Sequence, residues 1–133
     1  MSMSIFEFLK SCVSTQESKV LFVLMIIAVA MIIDFITGTI AAYVNPEIQF
    51  KSKAGINGIL RKIASMLLLI VFLPVSVLIP GNAGIALVYT LYFGYLIMEV
   101  KSIIENVGKN GTDTSLFTHL INKISNGKLE ENK

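Results

Sequence analysis

The stretch that decides the fold is Val20–Val44, VLFVLMIIAVAMIIDFITGTIAAYV. It is a long apolar run interrupted by a single charge, Asp34. A helix needs roughly 20 apolar residues to cross a hydrocarbon core about 30 Å thick, and about 17 is the lower limit. Val20–Val44 exceeds that length. Two further runs follow, Ile63–Ile79 and Ala83–Met98. The second just meets the limit, and the third reaches it with flanking residues to about Glu99. Stretches such as Val20–Ile33 and Leu67–Leu73 are apolar all round, a pattern that suits lipid rather than one face of a soluble bundle. The sequence therefore predicts an all-α integral membrane protein of one domain, residues 1–133. Its spans lie near 20–44, 63–79 and 83–99.

Composition agrees: 54% of the residues are hydrophobic and 15% are charged. The net charge of +2 is uninformative, but its distribution is not. Lys10 and Lys19 precede the first run, and the Pro80–Asn82 turn carries no basic residue. The other nine lie between the first two runs (Lys51, Lys53, Arg61, Lys62) or after Met98. With three spans these two basic regions share a side. The excess of Lys and Arg on cytoplasmic loops places that side inside and the N-terminus outside. Lys51, Lys53, Arg61 and Lys62 are read as membrane-surface groups, each worth ~1 kcal/mol near an anionic leaflet.

Enzymatic chemistry finds no foothold. A single cysteine, Cys12, excludes a disulfide within the chain, and with one histidine, His119, it falls short of a Cys/His metal site on ligand count. No Gly-rich phosphate loop or nucleophilic triad stands out. The sequence therefore implies no cofactor, no metal and no nucleic-acid partner. A signal peptide cleaved after Ala30 is set aside, because the apolar run continues past that residue. Asn110-Gly111-Thr112 matches a glycosylation sequon but reads better as a turn on the cytoplasmic side.

Outside the spans, Met3, Phe6, Leu9 and Val13 recur at helical spacing beside Ile5 and Cys12, predicting a short amphipathic helix or a frayed end. Asn45-Pro46 ends the first helix. Gly55 and Gly58 suggest a close backbone approach or a bend, and Pro74 a kink. Pro80-Gly81-Asn82 is too short for anything but a tight turn, so the second and third spans form a hairpin. The third helix should run on to about Val107, with Gly108 as its cap. Ser115–Asn126 is amphipathic, with Leu116, Phe117, Leu120, Ile121 and Ile124 on one face. Lys128–Lys133 reads as a charged, disordered end.

Two polar stripes run against the apolar background. Asp34 near the middle of a span costs ~2.5–3.5 kcal/mol, so it must face something other than lipid. Thr37, Gly38, Ala41 and Ala42 share its side with Ala30, a small-residue stripe that lets helices approach closely. The second stripe is Tyr92, Tyr95, Glu99, Ser102 and Asn106, spaced 3, 4, 3, 4 along one seam. Packing within one chain and packing between copies both satisfy these stripes.

In this order and spacing the chain resembles the toxin-secretion/phage-lysis holin family. The resembling residues are Asp34-Phe35-Ile36-Thr37-Gly38, Ala41-Ala42, Ser52, Gly55, Gly58-Ile59, Lys62, Glu99, Ser102-Ile103 and Glu105-Asn106-Val107-Gly108. Phe72–Val77 departs from the pattern in carrying no charge. The resemblance implies a small three-span protein that accumulates in the bacterial cytoplasmic membrane and oligomerises. It then opens lesions that release an endolysin or toxin. The partners it implies are the lipid bilayer, further copies of the chain, that endolysin or toxin, and an antiholin. Asp34, Thr37, Gly38, Ala41, Tyr92, Tyr95, Glu99, Ser102 and Asn106 become assembly or pore candidates. An antiholin, a small ion-conducting subunit and a membrane anchor are the competing readings.

Overall fold

A computed structural model describes residues 3–45 and 52–131. Pro46 and Lys51 lie outside the described residues, as do the side chains of Lys53 and of residues 127–131. Among the described residues the regular structure is all helical, in the order α1 (Ile5–Cys12), α2 (Gln16–Val44), α3 (Ser52–Val77), α4 (Ala83–Lys109) and α5 (Ser115–Glu131). Three helices among the described residues are long and apolar enough to cross a membrane: α2, the Gly55–Val77 part of α3, and α4.

Local chemistry sets the boundaries. Ser4 and Glu7 close a capping box on α1, and Thr15 and Ser18 close one on α2, each satisfying backbone donors of the first turn. The α2 helix stops at Val44, with Asn45 as its C-cap. Pro74 lies inside α3, which ends one turn later at Val77. The tight turn between α3 and α4 needs Gly81, whose φ of +72° is costly for any residue with a Cβ.

Three expectations change. The basic segment before Ile63 is helical from Ser52, so α3 begins earlier and ends two residues sooner than the expected 63–79 span. Ile56, Ile59 and Leu60 give that segment an apolar, exposed side. The α4 helix runs through Gly108 to Lys109, and Asn110 takes the cap position. The α5 helix continues to Glu131 where the sequence suggested disorder; Asn132 and Lys133 lie outside the described residues.

The helices α2 and α4 run parallel and form the most extensive pair. Val20, Val23, Ile27, Met31 and Asp34 face Val88, Tyr92 and Glu99, with Ile27 and Tyr92 fully buried. Against this pair α3 lies antiparallel and lightly held; Leu69 and Ser76 are its buried residues among those described. Its contacts with α4 recur every two turns. Lys62 meets Glu99, the Leu69 carbonyl accepts from the Tyr92 hydroxyl, and Ser76 lies against Gly84. A seven-residue repeat is the spacing that keeps one helix seam facing a partner. The two backbones almost touch at the last of these contacts.

A Cβ on Gly84 would run into the Ser76 carbonyl, whereas nothing stands within 4 Å of one on Gly58. Gly84→Ala should therefore destabilise the hairpin by about 1–3 kcal/mol. Gly58→Ala should be neutral or stabilise by up to about 1 kcal/mol. Denaturation titrations of both variants in detergent micelles check the contrast. At the start of α5 the Ser115 amide donates to Asp113 (3.0 Å), which holds that carboxyl below its usual 3.8. The bond's contribution is present above that value and is lost as pH falls through the lowered one. Amide exchange at Ser115 should accelerate over that acid range and not at neutral pH.

Candidate functional site: a charge network where three helices meet

Asp34 lies on the α2 face that the spacing of Ile27, Ala30, Met31 and Ala41 turns inward. Glu99 and Asn106 are seven residues apart on α4, so two helical turns bring both to the same side, against α2. Lys62 reaches in from α3. The four side chains form one network.

The Lys62 ammonium is its centre. It donates to Asp34 Oδ2 at 2.7 Å and to Glu99 Oε2 at 2.9 Å and Oε1 at 3.3 Å. Its ion pairs therefore tie α3 to both other helices at one point. The side chains are 23% exposed for Lys62, 11% for Asp34 and 8% for Glu99. The second Asp34 oxygen, Oδ1, accepts from the Asn106 amide at 2.8 Å. The same amide nitrogen reaches the Asp34 carbonyl at 3.1 Å and Thr37 Oγ1 at 3.2 Å. Thr37 in turn donates to the carbonyl of Ile33 (2.9 Å) or of Asp34 (3.1 Å). Gly38 makes room: a Cβ there would touch the Asn106 amide at 3.4 Å.

The structure thus brings Asp34, Thr37, Gly38, Glu99 and Asn106 into one cluster. Ala41 is buried further along the same α2 face. Tyr92, two turns from Glu99, is bonded to the Leu69 carbonyl, and Tyr95 packs on the apolar core. Ser102 is half-buried. Arg61 is exposed, and the Lys51 and Lys53 side chains lie outside the described residues.

Lys62 stands apart from the other basic residues. The sequence grouped it with them at the membrane surface; in the structure its ammonium is the shared partner of two carboxylates. The physical reason is that ionised carboxylates in an apolar setting are tolerated only with a hydrogen-bonded countercharge. The signal was available: one acid within an apolar run and another at the end of one call for a cation, and Lys62 is the basic residue adjoining the second run.

Chemically the network can hold helices together or, opened, present a hydrophilic face. Among the described residues no group of three or more His, Cys, Asp or Glu could hold a metal ion.

The sequence profile of the bacteriophage holin family matches residues 11–126. Among curated proteins, the antiholin of Bacillus phage PZA is 30% identical, over 98% of this chain and all of its own length. The antiholin of Bacillus phage phi29 matches to the same extent. That of Bacillus phage B103 is 32% identical, over 76% of this chain and 75% of its own. No solved structure matches.

Removing the ammonium should leave two uncompensated buried carboxylates. Lys62→Met is expected to cost about 3–5 kcal/mol of stability in micelles. Arg61→Met, one residue away but exposed, should change stability by less than about 0.5 kcal/mol. Equal effects of the two substitutions in the same denaturation titration would contradict the assignment.

Proposed function

Since the chain belongs to the bacteriophage holin family, we propose that it is a holin-type lesion former whose resting state is the closed network of Asp34, Lys62, Glu99 and Asn106. It sits as a multi-pass protein in the bacterial cytoplasmic membrane. The uneven spread of Lys and Arg supports an N-terminus outside and a C-terminus inside. In the resting monomer each helix turns its polar side toward the other two and its apolar side toward lipid. On assembly between copies, the same polar sides turn to a shared aqueous lumen, through which an endolysin or toxin leaves.

The observation that carries this reading is that both Asp34 oxygens and both Glu99 oxygens find their donors within one chain. A spanning helix has no water with which to satisfy such groups, so the network has two acceptable states: closed on itself, or facing water in an assembly. The closed state suits a protein that accumulates harmlessly before it acts.

A second reading, that the chain restrains a lesion former, is favoured by the relatives named antiholins, two of them matched along their whole length. A chain whose network stays closed would join an assembly without contributing a lumen face.

Inducible expression with a muralytic enzyme in the cytoplasm tests both. A lesion former alone should give abrupt enzyme release after a delay. Under the second reading, expression alone releases nothing, and co-expression with a lesion former delays release. Asp34→Leu should still insert but change the timing of release or abolish it. Unchanged timing would contradict a role for the network.

A further inference from the structure

The α1 helix plays no part in the charge network, yet it has a sharply divided surface. At about 100° per residue, Phe8, Cys12, Ile5, Leu9 and Phe6 fall within an arc of about 160°, and Lys10, Glu7 and Ser11 occupy the rest. Ile5 and Phe6 are among the more exposed apolar side chains of the molecule, at 69% and 73%. Phe8 and Leu9 are exposed too. Nothing in the described chain covers this face.

Position decides what does. Three residues, Val13, Ser14 and Thr15, separate α1 from α2, and α2 is of membrane-spanning length and composition. Three extended residues reach at most about 11 Å. The apolar stretch of α2 begins at Val20, about one turn into the helix. The α1 helix is therefore tethered within the zone of headgroups and upper acyl chains, where an amphipathic helix can lie in the plane with its apolar face down. Its charged pair, Glu7 and Lys10, is balanced, so apolar burial rather than attraction to anionic lipid drives the contact.

We infer that α1 is an interfacial float: its Phe6–Leu9 face inserts into the lipid headgroup/acyl boundary where α2 enters the membrane. This holds whether the chain forms lesions or restrains them.

The chain contains no tryptophan, so a single introduced one reports its own surroundings. The full chain is reconstituted in phosphatidylcholine vesicles as Leu9→Trp, Phe6→Trp and, on the polar face, Ser11→Trp. Leu9→Trp and Phe6→Trp should emit to the blue of Ser11→Trp. Lipid brominated near the carbonyls should quench them more than lipid brominated near the chain ends. Adding phosphatidylglycerol should change neither result. Three outcomes overturn the inference. Matching solvated emission from all three reporters places α1 in water. Blue-shifted emission without lipid quenching places the face against protein. A requirement for phosphatidylglycerol makes the contact electrostatic.

Discussion

An ionised group at membrane depth must find its countercharge inside the protein, and the arrangement of the three spanning helices follows from that constraint. Asp34 lies within the apolar run of α2 and Glu99 at the end of that of α4, and both are buried. One ammonium, Lys62, answers both. To deliver it, α3 must lie antiparallel to α4 in the register that also places Leu69 beside Tyr92 and Ser76 beside Gly84. A Cβ on Gly84 would clash with the Ser76 carbonyl, and one on Gly38 would touch the Asn106 amide. The charge network thus selects the register, and the glycines permit the approach.

The three helices are unequally committed to this packing. The α2–α4 pair buries the apolar core, whereas α3 exposes most of its surface and holds on through contacts spaced two turns apart. In lipid, exposed apolar side chains cost nothing, so the hold on α3 depends on polar contacts and close packing rather than on the hydrophobic effect. A device of this kind is stable while its polar groups are paired and can reorganise when they find other partners.

Much of this was legible in the sequence. Apolar run length gave three spans, Pro80-Gly81-Asn82 gave the hairpin, and the seven-residue step from Glu99 to Asn106 gave the polar side of α4. The place of Lys62 was harder to see, because a lysine at the edge of an apolar run has the same composition whether it points to headgroups or inward. Only the three-dimensional register, carried by pairs 28 and 37 residues apart, distinguishes the two. The early start of α3 was masked for a related reason. Ser52–Arg61 is polar and glycine-bearing, and its helicity shows in the placing of Ile56, Ile59 and Leu60 rather than in average hydrophobicity. Gly55 and Gly58 suggested a close approach or a bend, and nothing stands within 4 Å of a Cβ placed on Gly58. The approach belongs to Gly84, which composition alone does not distinguish from its neighbours.

The central claim is that the polar network is closed at rest and meets water when the protein acts. The most direct test places one reporter in that network and follows its exposure through time. In a Cys12→Ser background, Thr37→Cys carries the chain's single thiol beside Asn106. Cells expressing it are sampled with a small hydrophilic maleimide before and after the onset of enzyme release. The account predicts a thiol protected before onset and labelled at onset. A thiol labelled equally throughout, or one still protected after release is complete, would contradict it.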